Sequence, residues 1–89
     1  MEQLINYVVI DGQQYMISTT DTFDAGLETM VFESRNFKIT NGFDLYVRHY
    51  STWQEAVEGH QDIFENLEKY LTEERKDWTW LNGEEGGNN

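Results

Sequence analysis

The sequence has no cysteine, so neither a disulfide framework nor a thiolate metal site is available to it. Basic residues are scarce: six lysines and arginines stand against seventeen acids, for a formal net charge of −11. Without a basic stripe to neutralise phosphates, direct binding to DNA, RNA or an anionic membrane is not expected. No apolar run approaches the roughly 20 residues that span a bilayer. The opening Met1-Glu2-Gln3 is acidic and unlike a signal peptide, so a cytoplasmic setting is expected. Catalytic signatures are missing too: there is no G-x-S-x-G, P-loop, H-E-x-x-H or Gly-rich dinucleotide turn. A single domain of 89 residues also has little room for a deep pocket. These absences point to a non-enzymatic protein with no cofactor and no metal.

What is present is aromatic. Thirteen phenylalanines, tyrosines and tryptophans make up 15% of the chain, enough to fold a body that would otherwise be an unfolded polyanion. The first half reads as strands. Leu4 to Ile10 is β-branched and aromatic, and Asp11-Gly12 directly after it is a hairpin signal, since both residues tolerate positive φ. Gln14 to Thr19 forms the return strand, and Thr20 to Gly26 is a polar connection in which Phe23 turns inward. Leu27 to Ser34 reads as a third strand, with Met30 and Phe32 feeding the core. A turn region spans Asn36 to Gly42, marked most firmly by Asn41-Gly42. Asp44 to Tyr50 is the fourth strand, with Leu45, Val47 and His49 on one face and Tyr46, Arg48 and Tyr50 on the other.

At Ser51 the period changes from two to about 3.6. Ser51 with Gln54 and Thr52 with Glu55 offer two overlapping capping boxes. Trp53, Ala56, Val57, His60, Ile63, Phe64, Leu67, Tyr70 and Leu71 then recur at helical spacing, which predicts a helix from Thr52 to about Lys76. Gly59 inside it costs about 1 kcal/mol relative to alanine and lets the helix approach the sheet closely. The expected fold class is α+β: a four-stranded antiparallel sheet with one long C-terminal helix packed on one face. One domain is expected over residues 1–81, and residues 82–89 form a disordered acidic, Gly- and Asn-rich tail.

Charge is uneven: residues 1–50 hold seven acids and three bases, residues 51–89 ten acids and three bases. Glu55, Glu58, Asp62 and Glu65 fall on one side of the expected helix, about 5–6 Å apart, close to the spacing of phosphates along one nucleic-acid strand. They form either a phosphate-mimicking stripe or an ordinary solvated face. Glu65 and Lys69 are a well-oriented i,i+4 pair. Asp21, Asp24 and Glu28 do not match a calcium loop; Asp21 or Asp24 serves better as a cap of its own loop. His60 lies on the apolar stripe as a satisfied, half-buried histidine that can bond across to the sheet. Trp78 and Trp80 either cover the end of the core or form an exposed patch for a partner or a second copy.

The segment Tyr15 to Phe32, with Glu28-Thr29-Met30-Val31-Phe32 its most specific part, resembles a group of small, mostly uncharacterised bacteriophage proteins of Gram-positive hosts. The helix entry Tyr50-Ser51-Thr52-Trp53-Gln54-Glu55-Ala56, closing on Gly59-His60, is similar to the same group. The resemblance covers roughly residues 5–65 and implies expression in the host cytoplasm; it brings no activity, cofactor or catalytic residue. The expected role is protein–protein binding that inhibits or redirects a host protein handling nucleic acid, such as a nuclease. Glu55, Glu58, Asp62, Glu65, Trp78 and Trp80 are the candidate contacts. The alternative is a phage structural or assembly protein, or a homo-oligomeric accessory protein without mimicry.

Overall fold

The computed structural model describes residues 3–22 and 26–72. Four strands, Gln3–Ile10 (β1), Gln13–Thr22 (β2), Gly26–Arg35 (β3) and Lys38–Tyr50 (β4), pair in chain order as an antiparallel meander. One helix, Trp53–Glu65 (α1), packs on one face of the sheet. The α+β architecture is as the hydrophobic periods predict.

Two tight turns set the register. Asp11 and Gly12 have φ of 51° and 84°, the paired positive values of a primed hairpin turn, whose twist matches that of the strands it joins. From there β1 and β2 pair without interruption, Gln3 opposite Thr20 through to Ile10 opposite Gln13. The second turn is Asn36-Phe37, with φ of 54° and 65°, and it lies five residues before the Asn41-Gly42 marker. Consequently β4 begins at Lys38 rather than Asp44. Asn41-Gly42 instead belongs to a bulge: Ser34 pairs with Ile39 and Phe32 with Asp44, so residues 40–43 loop out from the sheet edge. A side-chain turn fixes the loop, the Phe43 N–H donating to Asn41 Oδ1 at 3.0 Å. Just beyond it, Leu45 and Tyr46 both pack on the core. The strict alternation expected from Leu45 onward starts one residue late, because a bulge turns neighbouring residues to one face.

The core lies between sheet and helix. Ile17, Val31 and Ile63 are fully buried, joined by Tyr15, Ala56, Leu67 and Leu71. Met30 and Phe32 do not feed it. They flank Val31, so when Val31 faces the helix they face away, and both are half-buried on the uncovered side.

The helix is short, not the single long element that the periodicity predicts. It starts as expected: Thr52 Oγ1 accepts from the Glu55 N–H at 3.1 Å, and Glu55 Oε1 accepts from the Ser51 and Thr52 N–H groups at 3.0 and 3.2 Å. Of the two possible capping boxes, the one built on Thr52 forms. Asn66 ends the helix. Its backbone N–H and its side-chain Nδ2 both donate to the Asp62 carbonyl at 3.0 Å, and Nδ2 reaches Asp62 Oδ1 at 2.9 Å. A short amide that competes for backbone acceptors favours helix ends over interiors. Residues 67–72 are helical again, which preserves the apolar phase through Leu67 and Leu71 across the break. The Glu65–Lys69 pair does not form: Glu65 accepts from Gln61 at 2.7 Å, and Lys69 lies over the Tyr70 ring at 5.6 Å. Phe23, Asp24, Trp78, Trp80, the end of the long helix at Lys76 and the tail 82–89 fall outside the described residues.

Candidate partner-binding surfaces

Strand alternation assigns two faces. In each antiparallel pair, directly opposite residues share a face, so the register can be read as rows across the sheet. Thr19, Thr29 and Arg48 form one row on the helix side, and Asn6, Ile17, Val31 and Tyr46 form another.

A polar relay runs through this side. His60, 4% exposed, brings Nδ1 to 2.6 Å from Thr19 Oγ1 and Nε2 to 2.7 Å from Asn6 Oδ1. Asn6 Oδ1 only accepts, so Nε2 carries the ring proton and Nδ1 accepts from the Thr19 hydroxyl. Thr19 in turn accepts from Thr29, and Thr29 accepts from the Tyr50 hydroxyl at 2.8 Å. Every member is satisfied, and such a chain polarises itself in one direction. Gly59 makes it possible. A Cβ at that position would overlap the Tyr50 ring, so glycine alone allows the helix to sit where His60 reaches Thr19. The expected close approach and the satisfied histidine are both present. Both ring nitrogens are engaged within the fold, so the relay ties the helix to the sheet.

Burial pushes the His60 pKa below its ordinary 6.5. The unfolded chain therefore takes up the proton first, and stability present above pH 6.5 is lost as pH falls from there towards the lower folded value. Urea melts of the wild type and of His60→Gln across this range are expected to show a steeper loss in the wild type. Parallel slopes would mean that His60 is not held neutral.

The four helix carboxylates do not form a uniform stripe. Glu55 is committed to the helix cap. Asp62 leans to the sheet, where its Oδ2 meets Arg48 Nη1 at 3.3 Å and accepts from the Tyr70 hydroxyl. That hydrogen bond, with those from Arg48 and Asn66, holds the Asp62 carboxyl below the usual carboxylate range. Arg48 is fixed in turn by Tyr46 Oη, at 3.2 Å from Nε and 2.9 Å from Nη2, and lies over the Tyr70 ring at 4.9 Å. Only Glu58 and Glu65 point fully outward, each accepting from a glutamine one turn earlier. Val57 and Phe64, expected in the core, are exposed beside this surface.

Among the described residues no helix packs on the other sheet face. Its rows are Ile5-Ser18-Met30-Val47, Tyr7-Met16-Phe32-Asp44 and Val9-Gln14-Ser34-Ile39, closed at one end by the Glu28–His49 pair at 3.1 Å. An antiparallel sheet with one face in water ordinarily alternates apolar-in and polar-out; here the uncovered face is also rich in apolar residues, with Ile5, Val9, Met16, Met30, Phe32, Ile39 and Val47 among them. Val9 is 63% exposed, Phe37 64% and Ile39 43%.

Phe37 is the least expected residue of this surface. At φ 65° it occupies the left-handed region that a bulky side chain seldom adopts and that asparagine or glycine fills in such turns. Its backbone is pinned from two strands. The Phe37 N–H donates to Gln14 Oε1 at 2.8 Å, and the Tyr7 hydroxyl donates to the Phe37 carbonyl at 3.3 Å. The Tyr7 ring meets it edge-on at 4.9 Å. The structure thus holds a mostly exposed aromatic ring in a strained conformation, a combination that marks functional positions.

Sequence reasoning did not find this surface. The alternating apolar residues of all four strands carried the signal, but alternation does not say which face a helix covers. Among the described residues no helix is long and apolar enough to cross a membrane, and no group of three or more potential metal ligands comes together. No family model, curated protein or solved structure matches this chain.

Proposed function

We propose that this protein is a non-enzymatic binding domain that captures a basic protein partner on the uncovered face of its sheet. The carrying observation is the apolar face itself, centred on Tyr7, Met16 and Phe32 and rimmed by Ile5, Val9, Phe37 and Ile39. Contiguous exposed apolar surface in a small domain marks an interaction site, and aromatic anchors dominate interface energetics. The net charge of −11 sets the sign of the partner. A strongly acidic domain steers towards and is retained by a basic protein, and a basic patch is the footprint of proteins that handle nucleic acid. In this proposal the chain acts in a host cytoplasm, the setting its resemblance to phage proteins implies, and inhibits or redirects such a protein. Apolar contacts supply the affinity and Glu58 and Glu65 only the long-range attraction.

The test compares two sets of variants in capture from a host lysate, with folding of each checked by circular dichroism. The wild type is expected to retain a nucleic-acid-binding protein. Val9→Ser with Phe37→Ser should lower its retention at least tenfold, and lysine at Glu55, Glu58, Asp62 and Glu65 should lower it less. The reverse order of effects would move the contact to the helix and refute the sheet-face assignment; retention of no nucleic-acid-binding protein would refute the function.

A further inference from the structure

The two edges of the sheet are treated differently. The β4 edge is guarded by the devices that keep strands from pairing with other chains: a bulge at residues 40–43, and Lys38, Asp44 and Arg48 along its length. The β1 edge has none of them. Gln3–Ile10 carries no charged residue and no proline, and its eight residues run in unbroken register with β2. Of the five elements described, β1 is the only one without a charged side chain. Among the described residues its outer backbone groups meet no other strand.

We propose that β1 pairs with β1 of a second copy, antiparallel, joining two four-stranded sheets into one of eight strands. Charge selects this occupant. Two chains of −11 repel wherever their acids meet, and β1 is the element along which two copies can touch without opposing like charges. An uncharged edge offers a basic partner no electrostatic attraction. Geometry agrees, because an antiparallel strand pair is self-complementary about a two-fold axis: the same edge serves both copies. Ile5 and Val9, 42% and 63% exposed on β1, lose solvent in the pair. The dimer deepens the reading above by bringing two apolar sheet faces together, and it rests on that reading only for its purpose, not for its existence.

Sedimentation equilibrium on the purified chain tests it without any partner. The expected mass is twice the 10.6 kDa of the monomer. The dimer share should rise with ionic strength, since salt screens the repulsion between like-charged copies, whereas binding of a basic partner weakens in salt. Hydrogen exchange should show amides of β1, and not of β4, slowing as concentration rises from micromolar to millimolar. Ile5→Glu with Val9→Glu, at exposed positions that leave the core untouched, should restore the monomer mass. A wild-type chain that stays monomeric at all concentrations and salts overturns the proposal. So does a dimer whose β1 amides exchange at concentration-independent rates, or one that survives the double glutamate variant. Each result leaves the capture experiment to be judged separately.

Discussion

Replacing Gly59 with valine is expected to lower the stability by about 3 kcal/mol, at the upper end of what overpacking a tight contact costs. The cause is spatial, not conformational. A side chain at this position runs into the Tyr50 ring, and the helix must then lift or Tyr50 must swing away from Thr29. Either movement opens the relay from Tyr50 to His60. A valine in a helix interior is intrinsically no worse than glycine, so propensity alone predicts no loss. A double-mutant cycle separates the two accounts. In a Tyr50→Ala background, Gly59→Val is expected to cost less than about 1 kcal/mol. Urea midpoints of the four proteins provide the measurement, and an undiminished penalty in that background would show that Tyr50 is not what glycine accommodates.

The second large effect is expected at Ile63. It is fully buried, and it faces Ile17 and Val31 across the only sheet–helix interface among the described residues. Truncation to alanine removes three carbons and leaves a cavity, which costs about 3–4 kcal/mol in such settings. A core of this size seldom leaves more than about 3–5 kcal/mol in hand, so most of the stability goes with it. The comparison that gives the number meaning is Ile5→Ala. Ile5 is 42% exposed on the open face, and the same truncation there is expected to cost about 0.5 kcal/mol. Thermal and urea unfolding of the two variants side by side decides it. Equal losses would mean that the two faces of the sheet are equivalently buried and that the open face is not open.

Sequence legibility followed how local each cause was. Asp11-Gly12 and the Thr52–Glu55 capping box depend on neighbours within four residues, and both form as their spacing predicts. Gly59 and His60 were legible because each is unusual on an apolar helical stripe. Asn36-Phe37 was not, since its turn depends on Gln14 and Tyr7, some twenty and thirty residues away, holding a phenylalanine where it has no intrinsic preference. The end of the helix was missed for a related reason. The apolar period continues through Leu67 and Leu71 across the interruption at Asn66, and periodicity records phase, not hydrogen bonds. The acidic face shows the same limit: helical spacing brings Glu55, Glu58, Asp62 and Glu65 to one side, but Arg48 draws Asp62 to the sheet. Which sheet face lies open is settled only by the register of all four strands.

Meanders made of hairpins can misalign, because sliding a strand by one residue exchanges its faces while leaving most backbone pairing intact. Apolar side chains tolerate such errors, and both faces of this sheet are rich in apolar residues, so burial alone discriminates weakly between alignments. The relay does discriminate. A slip of β1 puts Ile5 or Tyr7 where Asn6 meets His60, and a slip of β3 puts Glu28 or Met30 where Thr29 meets Thr19. Either leaves a buried polar atom without its partner, at about 1–3 kcal/mol. Asn6, Thr19, Thr29 and Tyr50 come one from each strand, and His60 comes from the helix. The relay is therefore a checksum on the topology, complete only when five elements agree on one alignment.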